Sequence, residues 1–188
     1  EESTDPGDLQ GTWVIEKGKL GSQEKLSGIL YRMTESDIYI KGVNALDSEG
    51  NVGILFGLES SMGYIQAARK KRNFTIIYPA GLEKLIPISV KNAAKEAKIA
   101  QYESGMGMPV GLFPCPPGVT VTEIRAIEIL SGAAAIPIAS GGLGGAEGAI
   151  TLVLKGKTDE VIKALDFVEQ AKGARLPDLR LCNCDACP

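Results

Sequence analysis

Apolar positions along this chain follow two rhythms, and their alternation predicts helices interleaved with strands. Leu26, Ile29, Leu30 and Met33 stand three and four apart, the stripe of an amphipathic helix. Thr12 to Glu16 (TWVIE), Asp37 to Lys41 (DIYIK) and Phe74 to Tyr78 (FTIIY) are short β-branched and aromatic runs, expected as strands. The last is expected to be buried on both faces. Val52 to Phe56 reads as a further extended piece. Ser60 or Ser61 is placed to cap a helix reaching about Arg72, and Ser89 opens a polar helix to about Ile99.

Residues 103–118 carry Gly, Met and Pro and read as a long irregular connection, apart from a short apolar run near Val110, and as the expected boundary. Beyond it Thr120 or Thr122 caps a helix with Ile124, Ile127 and Leu130 on one face. Ala133 to Ala139 is a strand in which Pro137 demands an edge or a bulge. Ala149 to Leu154 is another strand. Thr158 caps a last helix with Val161, Leu165 and Val168 on one side and Gly173 as its stop.

The resulting expectation is an α/β fold. Strands alternating with helices imply a Rossmann-like open, mostly parallel sheet with helices on both faces, plus a smaller C-terminal α-β-β-α block. The organisation is a polar terminus at 1–11, the α/β block at 12–108, the smaller block at 119–180 and a Cys-rich tail at 181–188. A length of 188 residues fits one domain with a small appended unit.

Composition narrows the chemistry. Aromatics are 5% of the chain, so the core must be aliphatic. A net charge of -3 without a long basic run disfavours nucleic acid as a partner. The run Arg69-Lys70-Lys71-Arg72 suits a solvated helix C-terminus. No apolar stretch approaches a membrane span, and no signal-like segment is read, so a cytoplasmic location is expected. The chain opens on Glu1 rather than Met, so upstream sequence is expected. There is no histidine, so acid–base work falls to Asp, Glu, Lys, Tyr or Cys.

The chemistry-bearing segment is 37–84. A strand ending at Lys41 is followed by a polar turn with Gly42, Asn44, Asp47, Glu49, Gly50 and Asn51, then Gly53, then a helix start at Ser60 and Ser61. Ligands of open α/β sheets bind beyond the carboxyl ends of strands, and free N–H groups at a helix start favour anions. The segment therefore suits a phosphate or carboxylate. The competing reading is a plain turn, because Asn, Asp and Gly all favour turn conformations. Glu83 and Lys84 read either as site groups or as an exposed pair.

The pattern strand, Gly-x-Asn, acidic-Gly-Asn, Gly, helix with Ala-Ala, strand resembles the ribose-phosphate isomerase, glucosamine-phosphate deaminase and CoA-transferase superfamily. Gly81 to Pro87 (GLEKLIP) is similar to a segment of its lactate-utilisation (LUD) domains. The likeness covers about residues 12–100 and implies a phosphorylated, carboxylated or CoA-linked ligand and isomerase- or transferase-like chemistry. Sugar-phosphate members often place Asp where this chain has Asn44, and Asn cannot act as a base. Asp47 or Glu49 could stand in for that base if the turn aims one inward, and Glu83 or Glu147, the latter as the catalytic candidate of the glycine cluster, would carry the acid–base role.

Two further features stand apart. The cluster Gly141, Gly142, Gly144 and Gly145 lies between two strands, so it lacks the strand-to-helix context of a dinucleotide loop. It reads as an anion-binding nest or as a mobile loop, with Glu147 as its ionisable group. Cys182, Cys184 and Cys187 form C-x-C-x-x-C, and Cys115 sits in Pro-Cys-Pro-Pro. Together they offer four thiolates for zinc or an iron–sulfur cluster, with disulfides or a reduced tail as alternatives. Two functions remain open: an anion-handling, enzyme-like domain, or a non-catalytic binding or assembly protein whose cysteine tail docks a metal or a partner. A homo-oligomer is expected in either case.

Overall fold

The computed structural model describes residues 12–21, 24–57, 61–98, 102–107 and 109–174. Ten strands and five α-helices alternate along them, so the chain is α/β. It divides into two compact units, Glu1–Tyr39 with Ser60–Ile76, and Ile40–Glu59 with Ile77–Pro188.

The first unit holds β1 (Ile15–Glu16) and β2 (Lys19–Leu20), an antiparallel pair, then α1 (Leu26–Arg32) and α2 (Met62–Arg72). Ile29, Leu30, Met62 and Ile65 are buried there, as the three-and-four spacing requires. The basic run closes α2, where Asn73 at φ 58° supplies the left-handed cap.

A parallel sheet of order β3-β6-β8 joins β3 (Ile38–Ile40), β6 (Thr75–Pro79) and β8 (Val119–Val121). The Thr75 N–H donates to Asp37 O and the Lys41 N–H to Ile77 O, the ascending pattern of parallel neighbours. Ile77 lies opposite Val119, and Pro79 opposite Val121. In β6, Ile76 and Tyr78 are buried while Thr75 and Pro79 are exposed. The strand expected to be covered on both sides is therefore covered on one.

A second, antiparallel sheet has the order β4-β5-β7, from β4 (Ala45–Leu46), β5 (Val52–Phe56) and β7 (Gly111–Pro114). The connection 103–118 is expected to be irregular apart from a short apolar run near Val110, and that run, Gly111 to Phe113, pairs with β5. Gly111 is needed there, because a Cβ would meet the Phe56 ring at 2.5 Å. Helix α3 (Val90–Glu96), capped by the Ser89 hydroxyl, packs on this sheet through Val90 against Ala45 and Leu112.

The C-terminal part follows the expected α-β-β-α order. Thr122 caps α4 (Glu123–Ser131), β9 (Ala134–Ser140) and β10 (Ile150–Lys155) form an antiparallel hairpin, and α5 (Thr158–Ala171) closes it. The register shifts between Thr151 and Leu152, where Leu152 faces Pro137, so the proline sits at an irregularity as its missing N–H requires. The cap of α5 is Lys157, one residue before the expected Thr158. Ile127, Ala133, Ala135 and Ala164 form this part's core. The described sheets are four separate ones, not a single open sheet. Among the described residues no helix is long and apolar enough to cross a membrane.

Candidate functional site

The polar turn proves to be the tip of the β4–β5 hairpin, with Leu46 opposite Val52. Asp47 organises it. One carboxylate oxygen accepts the Glu49 and Asn51 N–H groups at 3.0 and 2.9 Å, and the other accepts the buried Val90 N–H at 3.0 Å. The Asn51 side-chain amide donates to both. Asp47 is 3% exposed. Burial pulls its pKa upward, but the bonds from Val90, Asn51 and Glu49 outweigh it and hold the carboxyl below its ordinary value. This is the electrostatic signature of a fixed anion that ties a turn to a helix start, not of a proton shuttle.

The neighbouring candidates are similarly engaged. The Asn44 side-chain oxygen accepts the Leu55 N–H at 3.0 Å, and its backbone N–H donates to Gly53 O. Gly50 has φ +83°, and its carbonyl accepts from Thr120. Gly53 leaves room for Leu112, whose side chain would lie 2.9 Å from an added Cβ. Gly42 is exposed, and Ser61 makes no side-chain cap bond to α2. Ser60 lies outside the described residues.

Lys41 lies near Cys115. Burial pushes the Cys115 thiol up to about 11, while the Lys41 charge and a hydrogen bond with Tyr78 pull the other way. Tyr78 also donates to Pro116 O at 3.0 Å. A thiol so raised is protonated at neutral pH and is a poor nucleophile. Cys182, Cys184 and Cys187 lie outside the described residues. Among the described residues, no group of three His, Cys, Asp or Glu side chains is placed to hold a metal ion.

The structure does bring two sequence-selected features together. Beyond β6 the chain makes a 3-10 turn, Leu82–Lys84. The Leu82 N–H donates to both carboxylate oxygens of Glu123, the first residue of α4. Glu83 folds back over Gly81, where any Cβ would collide with its carboxylate, and lies 3.9 Å from the Lys84 ammonium. Gly148, at φ +83°, lies against the Glu83 stem, and a Cβ there would stand 3.5 Å from the Glu83 Cβ. The glycine turn after β9 thus reaches the carboxyl end of β6. In that turn Gly141, Gly144 and Gly145 all take positive φ, and Gly142 must lack a side chain because Ala146 O occupies its space. The Glu147 carboxylate accepts the Gly145 N–H at 2.9 Å.

Glu123 was missed from the sequence. Its signal was present, as an acidic residue directly after a Thr cap, but that pattern serves helix starts generally. A hollow of about 340 Å³ lies in the loop before β7, lined by residues such as Tyr102, Glu103 and Met106. Its walls carry none of the candidate groups. Compared with protein-family models, curated proteins and solved structures, the chain matches none.

Proposed function

We propose that this chain binds a small anionic ligand, phosphorylated, carboxylated or CoA-linked, at the carboxyl end of β6. The observation that carries the reading is the meeting of Gly148 with Glu83, which places the glycine turn beside the Glu83–Lys84 pair. Ligands of parallel sheets bind at strand carboxyl ends, and glycine-rich turns offer N–H groups to anions. Lys84 supplies the charge, and Glu83 is the acid–base group if the ligand is turned over. The reading treats β3, β6 and β8 as the core of a Rossmann-like sheet. It is supported by the likeness of Gly81 to Pro87 to LUD domains, and it is compatible with a cytoplasmic location. Binding is favoured over catalysis, because Asp47 is spent on the fold and Asn44 is no base.

A thermal-shift screen with sugar phosphates, CoA thioesters and organic acids tests it. A true ligand at about a hundred times its Kd adds about 2.7 kcal/mol of stability. Lys84→Ala is expected to abolish the shift while leaving the unliganded midpoint unchanged. No shift from any ligand class, or an undiminished shift in Lys84→Ala, removes the reading.

A second reading, a non-catalytic assembly protein, is favoured by a different observation. Ile77 pairs with Val119, and the Lys41 N–H to Ile77 O bond sets Ile40 opposite Ile77. Ile40 and Val119 are 64% and 48% exposed, so a β-branched row of a parallel sheet stands open. Such sheets are ordinarily covered on both faces. The cysteine tail, as a zinc, iron–sulfur or partner-docking segment, belongs to this second reading.

A further inference from the structure

We propose, resting on the ligand site at the carboxyl end of β6, that its ligand carries two anionic groups, one held by Lys84 and the other by Lys41. The class is a bisphosphate, a dicarboxylate or a carboxylated phosphate ester on a short skeleton.

Two chain segments frame the place. Segments 41–46 and 77–86 run side by side and touch at both ends. At one end the Lys41 N–H donates to Ile77 O at 3.0 Å. In parallel pairing that bond sets Ile40 opposite Ile77 and Lys41 opposite Tyr78. At the other end the Ile86 N–H donates to Leu46 O at 2.8 Å, and Leu46 lies opposite Leu85 in a parallel bridge. Between these ends the segments part, for a chemical reason. The next rung would come from the N–H of residue 79 to Lys41 O, and Pro79 has no N–H. The Ala80 N–H turns instead to Val121 O in β8, while the Asn44 N–H on the other side bonds Gly53 O in β5. The result is an opening outside the carboxyl ends of two parallel strands, where ligands of such sheets lie.

Lys41 and Lys84 stand at its two ends, Lys41 at the last rung and Lys84 one residue before Leu85. The Lys41 side chain leaves its strand on the same face as Tyr78 and is half-buried. Among the described residues its ammonium has no hydrogen-bond or ion-pair partner. The group it acts on is the Cys115 thiol, which is neutral. A cation drawn partly out of water without a counter-charge is costly, and an anion brought by a ligand relieves that cost. Lys84 is held only at 3.9 Å by Glu83, the one acid in either segment. The 41–46 path is at most about 17 Å long, and two lysine arms of about 6 Å shorten the gap, so the anions lie roughly 5 to 15 Å apart.

Isothermal titration of the full chain at low salt compares two-anion probes with their one-anion halves. The pairs are propanediol bisphosphate against propyl phosphate, and adipate against butyrate. The two-anion member of a pair is expected to bind at least about tenfold tighter. Lys41→Met keeps an apolar stem and is expected to remove that advantage, leaving the one-anion probe within about twofold. Lys41→Arg is expected to restore it, which a variant damaged in its fold would not do. Lys84→Ala is expected to weaken both members. A lysine that merely lays its stem on apolar surface would leave the advantage intact in Lys41→Met. That result overturns the proposal, as does a wild-type chain that binds both members equally. In either case one-anion binding that still needs Lys84 leaves the site itself standing. Failure of every probe to bind overturns both.

Discussion

Two hairpins of this chain turn through the same kinds of residue and use them in opposite ways. The β4–β5 turn is short, and its acid is buried, with Asp47 holding Glu49, Asn51 and Val90 at once. The β9–β10 turn spans 141–149 and is exposed, and its acid, Glu147, holds only the nearby Gly145 N–H. One turn has spent its polar atoms on the fold. The other commits the Gly141 N–H to Ala149 O and the Gly145 N–H to Glu147, and among the described residues leaves the N–H groups of Gly142, Gly144 and Gly148 outside any backbone bond. A polar turn is a binding candidate to the extent that its donors remain uncommitted, and residue type alone does not reveal that.

The largest test of this contrast is Asp47→Ala. It strips an acceptor from two turn N–H groups and from the buried Val90 N–H, so the expected loss is about 3 kcal/mol. The midpoint of urea unfolding measures it. A loss below about 1 kcal/mol would erase the distinction between the turns. The same carboxylate sets a pH dependence. Its folded pKa lies below its unfolded one, so its contribution is fully present above the unfolded value. That contribution fades as pH falls below the ordinary Asp value and on through the folded pKa. Wild type is expected to lose stability over that acid window, and Asp47→Ala to lose correspondingly less.

These effects show what was legible in the sequence. Helices α2, α4 and α5 were readable because their periodicity is local, and of their expected caps Thr122 of α4 is the one that bonds as expected. The pairing of β7 with β5 was not, because Gly111 to Phe113 is a short apolar run whose partner lies far away along the chain. The residues of the 41–57 turn are a polar cluster by composition alone. Their role depended on Val90 and Leu55, contacts that no spacing rule supplies. The approach of Gly148 to Glu83 was invisible for the same reason.

A middle-sized effect separates the glycines. Gly50 at φ +83° and Gly144 at φ +63° both have open space where a Cβ would go, so alanine costs backbone strain alone. At Gly50 the surrounding bonds fix the conformation, and Gly50→Ala is expected to cost about 1 kcal/mol. The longer turn can shift its backbone, so Gly144→Ala is expected to cost under about 0.5 kcal/mol. Equal losses in urea unfolding would mean that the two turns are equally constrained.

The smallest expected change in stability is the most informative about binding. Glu147→Gln removes a charge from an exposed turn and weakens one local bond, so unfolding should move by less than about 0.5 kcal/mol. Its effect on an anionic ligand should be opposite in sign and larger. The carboxylate competes for the Gly145 N–H and repels an incoming anion. Relieving both should tighten binding by about threefold, roughly 0.6 kcal/mol, by isothermal titration with whichever ligand the thermal screen selects. The gain should shrink as salt is raised, because an exposed charge is screened. A Glu147→Gln variant that loses as much stability as Asp47→Ala would make the glycine turn a second fold-holding device. One that loses affinity instead would make Glu147 a ligand contact and move the acid–base role from Glu83 to it.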